Sequence, residues 1–207
     1  MRIKLLVLLC IITMQQSFAQ TLNSNNKRQE IGVAFRSLNN FGAYYRIGND
    51  RGLWRLGIDG SIYSNVDEMK RDTVFTNQER VANSFSIRVG REQRITLAEK
   101  LQLRLGGDLG YRRFNDNVKR EFSNNNITDS KTDGNGFEVL GLIGINYQVN
   151  DYFHVGFELR PTYTVSKLET KYFDNTGSQE VNTKQNNNLN RFDFNASSVQ
   201  LNIGFNF

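Results

Sequence analysis

The last nine residues place Val199, Leu201, Ile203, Phe205 and Phe207 at every second position, with Gln200, Asn202, Gly204 and Asn206 between them. A period of two describes a strand with one apolar face and one polar face. The same period recurs along the chain. Apolar faces read Ile31, Val33, Phe35; then Phe41, Ala43, Tyr45, Ile47; then Trp54, Leu56, Ile58, Gly60, Ile62. They continue as Val81, Phe85, Ile87, Val89; as Leu101, Leu103, Leu105, Gly107, Leu109, Tyr111; and as Phe137, Val139, Gly141, Ile143, Ile145, Tyr147. Phe153 to Val165 and about Phe192 to Phe207 complete eight strands.

The connections alternate in length. Turn signals at Asn49-Asp50-Arg51-Gly52 and Asn150-Asp151, and the stretch Arg91 to Glu99, join strands two, four and six to their successors. Leu38-Asn39-Asn40 makes a tight first hairpin. Asn65–Arg80, Asn115–Asn135 and Leu168–Arg191 are polar and aperiodic, and are expected to be long loops. Pro161, the single proline, lacks a backbone donor and is expected to interrupt a ladder bond near the outer end of its strand.

The N-terminus has the form of an export signal: a basic start, an apolar run from Leu5 to Met14 too short to span a bilayer as a helix, and Ser17-Phe18-Ala19 as a cleavage site. The expected organisation is a cleaved signal at 1–19, a short periplasmic tail at 20–29, and one domain at 30–207. The only cysteine, Cys10, lies inside the signal, so the mature chain has no thiol chemistry. The formal charge of +5 falls when Arg2 and Lys4 leave, and the remaining bases are spread along strands. That distribution argues against nucleic acid as a partner.

Signal, strand pattern and terminal Phe207 together resemble the small bacterial outer-membrane β-barrels of the OmpA type, over essentially the whole mature chain. The resemblance implies an all-β fold: an eight-stranded antiparallel up-and-down transmembrane β-barrel with short periplasmic turns and long extracellular loops. It also implies residence in the outer membrane, contact with outer-membrane lipid and lipopolysaccharide, and recognition of the C-terminal strand by the barrel-assembly machinery. A monomer is expected. The Asn-rich loops and the Ser-Phe-Ala-Gln start look like exported proteins of Bacteroidota-type bacteria. In that setting Asp72-Thr73-Val74 resembles an O-glycosylation acceptor.

Which face is inside separates a membrane barrel from a soluble, lipocalin-like one. The polar face carries Arg36, Arg46, Arg55, Arg88, Arg104 and Arg160 with Asp59, Asp108, Glu138 and Glu158, and no mid-strand lysine. Arginine's planar fork serves several acceptors at once, which suits a confined ion-pair network. Intervening glycines and alanines make room for it. The arginine excess would be met by Gln102, Gln200, Asn202, Tyr44 and Tyr63, or by water. The aromatic girdle is expected at Trp54, Tyr147, Phe153, Phe205 and Phe207 on the periplasmic rim, and at Tyr111, Phe137 and Tyr163 on the outer rim.

Catalysis finds little support. His154 is the sole histidine and is followed by Val155-Gly156, not the His-x-Ser pair of the lipid A deacylases; by topology it faces inward at the periplasmic end. Omptin-like proteases need a longer barrel and a loop histidine. Asp59, Asp108, Glu138 and Glu158 read more simply as arginine partners than as acid–base groups. No cysteine or histidine cluster supports a metal, and no cofactor is expected. The functional expectation is a non-enzymatic barrel for membrane integrity or surface recognition. A narrow or gated pore is the alternative, ahead of a lipid-modifying enzyme or a soluble ligand-binding barrel.

Overall fold

The computed structural model describes residues 27–49, 51–71, 74–122, 126–175, 181–194 and 198–207. The export signal at 1–19 and most of the tail lie outside the described residues, as do Asp72 and Thr73 of the glycosylation sequence.

Ten antiparallel strands are present: β1 (Arg28–Ser37), β2 (Asn40–Gly48), β3 (Gly52–Arg71), β4 (Val74–Ala98), β5 (Leu101–Phe122), β6 (Ile127–Gln148), β7 (Phe153–Leu159), β8 (Thr162–Asp174), β9 (Val181–Asp193) and β10 (Val199–Asn206). β1 to β7 and β10 pair in sequence, and β10 returns to β1, so eight strands form a closed ring. The closing seam runs from Glu30 opposite Asn206 to Phe35 opposite Leu201. Closure leaves no free ladder edge around the lower wall, which is how a sheet satisfies its backbone without a neighbour.

The seventh and eighth strands read from the sequence are each interrupted. β6 pairs with β7 from Ile143 to Gln148 and with β8 from Thr128 to Leu140, in one continuous register. The break falls at Arg160-Pro161, midway up the wall and not near the strand's outer end. Pro161 still accepts from the Gly141 amide (2.9 Å), and the Arg160 amide donates to Ser198 (2.8 Å). β9 ends at Asp193 and β10 begins at Val199.

The three long loops expected from the sequence are instead hairpins. Asn65 pairs with Arg80, Asn115 with Asp133, and Leu168 with Asn187, so these segments extend β3–β4, β5–β6 and β8–β9. Ladder hydrogen bonding needs no apolar side chain. An alternating pattern records only a difference between two environments, and both faces of these hairpins meet water. β1 also begins at Arg28, inside the leader read as a tail.

The β1–β2 hairpin is short, and its last link to β3 is the Ile62 amide donating to Asn39 (3.0 Å). Above that level β3 pairs only with β4, and β9 pairs only with β8. The wall is therefore lower on one side. At the opposite end tight turns close the strands: in Asn49–Gly52 the Asn49 side chain accepts from the Gly52 amide at 3.0 Å.

Alternate residues segregate by polarity. Leu109 is 62% exposed and Phe157 59%, whereas Arg46, Arg104, Glu30 and Glu92 are fully buried. The apolar faces look outward and the charged faces inward, the inverse of a soluble barrel. Packing inside depends on small residues at close approaches: a Cβ on Gly90 would strike the Gly107 carbonyl and lie 2.6 Å from the Asp108 Cα. Among the described residues no helix is long and apolar enough to cross a membrane, which says nothing of strands.

Candidate functional site: the charged lumen and the outer rim

Three glutamates anchor the lumen toward the tight-turn end. Glu30 on β1 accepts both terminal nitrogens of Arg94 (2.6 and 2.7 Å), Arg46 (3.1 Å) and Arg28 (2.7 Å). Glu92 on β4 pairs with Arg104 (2.5 Å), Arg94 (2.7 Å), Arg55 (3.1 Å) and Arg46 (3.5 Å). Glu158 on β7 pairs with Arg46 (3.0 Å), Arg55 (3.1 Å) and Arg104. Arg46, Arg55, Arg94 and Arg104 thus each bridge carboxylates from different strands, and the network ties β1, β2, β3, β4, β5 and β7 across the barrel axis. Arg46 also lies over the Tyr44 ring at 3.7 Å.

A second group sits nearer the hairpin end. Asp108 takes Arg160 (3.2 Å) and Arg55 (3.7 Å), Asp59 takes Arg88 and the Ser86 hydroxyl (3.2 Å), and Glu138 lies 3.6 Å from Arg112. Gln200 accepts from Arg160 (2.9 Å) and donates to Glu158 (3.2 Å) and Asn202 (2.9 Å). Between the two groups is a void of about 10 Å³ bordered by Tyr44, Arg55, Arg88 and Asp108, room for about one water.

Of the ten lumen residues read from the sequence, nine are brought together in these two groups. Arg36 is the exception: it makes no ion pair among the described residues, and its Nε is buried without a hydrogen-bond partner. Gln200 and Tyr44 contact arginines in the lumen. Tyr63 instead stacks under Arg80 at 5.8 Å, and the Gln102 side-chain oxygen has no hydrogen-bond partner. Sequence reasoning missed Glu30, Glu92 and Arg94, which are central. The parity of β1 extended backward from Gly32 reaches Glu30, and that of β4 extended past Gly90 reaches Glu92 and Arg94.

His154 is fully buried and faces inward. Its Nε2 is 3.2 Å from the Tyr44 hydroxyl and its Nδ1 3.2 Å from the Asn206 side-chain oxygen, with Glu30 at 3.8 Å. Both ring nitrogens are engaged by the wall, and no serine is among these contacts. No group of histidine, cysteine and carboxylates that could hold a metal occurs among the described residues.

The aromatic residues named from the sequence lie on the outer surface. Phe153 and Phe205 meet at 5.4 Å near the tight turns, and Trp54 carries Arg91 over its ring at 5.7 Å. Tyr147 faces outward on β6 and Phe207 donates its amide to Gln29 (3.0 Å). At the other level Tyr111 and Phe137 pack edge-on at 5.6 Å, and Tyr163 stands opposite Val139.

No protein-family model matches the chain, and no curated protein is similar to it in sequence. Solved structures are similar in fold. A major outer membrane protein from Thermus thermophilus superposes with a TM-score of 0.51 at 10% identity, over 88% of this chain and 100% of the other. Acinetobacter baumannii CarO matches at 16% identity over 91% and 99% of the two chains with a TM-score of 0.36. The N-terminal β-barrel domain of Pseudomonas aeruginosa OprF matches at 10% identity over 88% and 98%, with a TM-score of 0.37. The first of these likenesses carries the fold: this chain has the antiparallel barrel architecture of an outer membrane protein.

Proposed function

We propose that the chain is an integral outer-membrane β-barrel with a non-enzymatic role, stabilising the membrane or presenting its long hairpins as a recognition surface. The carrying observation is the inside-out distribution of polarity on a closed ring. On β6 the outward residues from Phe137 to Tyr147 are apolar without a charge. At roughly 3.3 Å per residue and about 40° of tilt this run covers about 25 Å, the height of a bilayer's hydrocarbon band. The tight turns would then face the periplasm and the hairpins the medium. The charged lumen supplies the rigidity that the absence of disulfides leaves to other means.

Flotation of the folded protein with phospholipid vesicles, resistant to alkaline carbonate, tests the membrane assignment; recovery in the soluble fraction would sink it. Lipid A from a strain lacking the protein should have an unchanged mass spectrum, whereas a missing modification would favour an enzyme. A gated pore is the second reading. It is supported by two guanidinium nitrogens buried without hydrogen-bond partners, the Nε of Arg88 at the edge of the central void and the Nε of Arg160.

A further inference from the structure

On β5, β6 and β8 the apolar belt ends on one ladder row, at Tyr111, Phe137 and Val165, and the outward residues of the next row are not random polar ones. Ladder register sets Arg113 on β5 beside Asn135 on β6, Asn135 beside Lys167 on β8, and Lys167 beside Asn188 on β9. This row stands one outward position above the row of Tyr111, Phe137 and Val165. Adjacent strands lie about 4.8 Å apart, so Arg113 and Lys167 stand about 10 Å from each other on either side of Asn135, within reach of one another's ligands through long side chains. All four side chains are exposed and border an open cleft of about 530 Å³ with Tyr111 at its edge.

The nearby acids are already engaged. Asp133 accepts from Asn115 (2.7 Å), and Glu169 is held by Lys184 (2.9 Å) and Lys171 (3.5 Å), whose hydrogen bonds and charges keep its carboxyl below the usual range. Arg113 and Lys167 make no ion pair among the described residues. Two cations and two amides, each able to donate, thus stand just above the apolar rows of β5, β6 and β8, with Asp133 and Glu169 opposite each other on the next outward row.

We propose that Arg113, Asn135, Lys167 and Asn188 form a binding site for the phosphate of a phosphorylated glycolipid in the outer leaflet. Its acyl chains lie along Tyr111, Phe137 and Val165, and its phosphate receives the guanidinium and ammonium donors. The aromatic edge below and the cationic row above fit one amphiphile and not a freely diffusing ion. This inference rests on the membrane assignment above, because only insertion to the belt brings headgroups to this row.

The test is native mass spectrometry of the detergent-solubilised protein titrated with bis-phosphorylated lipid A, with enzymatically dephosphorylated lipid A, and with inorganic phosphate as competitor. At about 1 kcal/mol for each basic residue near anionic headgroups, the double variant Arg113→Gln/Lys167→Gln should bind phosphorylated lipid A about thirtyfold more weakly. Arg113→Lys should retain most of the affinity, and Lys131→Gln, outside the row, should change nothing. Folding of every variant is checked by heat-dependent gel mobility. Equal binding of the dephosphorylated lipid, an undiminished double variant, or displacement by millimolar phosphate would each overturn the proposal. Should the protein float with vesicles yet show no preference for the phosphorylated lipid, the site fails and the membrane assignment stands; failure to float removes both.

Discussion

At the scale of single residues, the same charge pair has very different consequences in two places. Glu92 is fully buried and receives four arginines, while Asp116 on the β4–β5 hairpin holds Arg80 through two short bonds (2.7 and 3.0 Å) in the open. Removing one partner of a buried network leaves the others charged and unsolvated, at a cost of about 3–5 kcal/mol. An exposed pair is worth at most about 1 kcal/mol and is screened by salt. Urea unfolding in phospholipid vesicles should therefore find Glu92→Gln destabilised by about 3–5 kcal/mol and Asp116→Asn by no more than about 1 kcal/mol. A Glu92→Gln loss below about 1 kcal/mol would show that water reaches the lumen and solvates the arginines. Side-chain identity alone does not separate these cases, since both are acids on strands beside arginine.

At the scale of the strand, what is legible in the sequence depends on where the two environments differ. β6 alternates cleanly from Phe137 to Tyr147, and the sequence reading of that segment needs no revision in register. On β4 the pattern stops at Gly90, because Arg91 and Gln93 occupy outward positions and break it. Arg91 lies over Trp54 at the rim, where a polar outward residue is tolerated, so the strand continues through Glu92 and Arg94 and its apolar face resumes only at Ile95 and Leu97. That continuation carries two of the network's central residues. The hairpins are illegible for the related reason that water bathes both their faces. The same depth dependence makes a prediction on one strand. Ile143→Arg, in the middle of the belt of β6, should cost about 2–4 kcal/mol in vesicle unfolding, and Asn135→Arg, at its upper margin, about 0–1 kcal/mol. Equal costs at the two positions would mean that the belt does not face lipid.

At the scale of the whole molecule, the question is whether a ring of eight strands encloses a passage. Eight strands leave a bore that side chains can fill. Here the bore is crossed at the tight-turn end by Arg46, Arg104, Glu92 and Glu158, all essentially without exposure, and Leu53 is fully buried at the same end. The void bordered by Tyr44, Arg55, Arg88 and Asp108 is about 10 Å³, room for about one water. Opening it would require several arginines to leave their carboxylates together, because each fork is shared among strands and a single rotation only unpairs its neighbours. Planar bilayers containing the purified protein should accordingly show no steady conductance at about 100 mV, slightly above natural resting potentials. A variant in which Arg46 and Arg104 are both replaced by alanine removes the two largest buried side chains of the crossing while leaving the wall intact. If it folds, as heat-dependent gel mobility would show, small steady openings are expected from it and none from the parent. Steady openings from the unaltered protein would instead establish the pore reading and require the network to exchange partners on the timescale of ion passage.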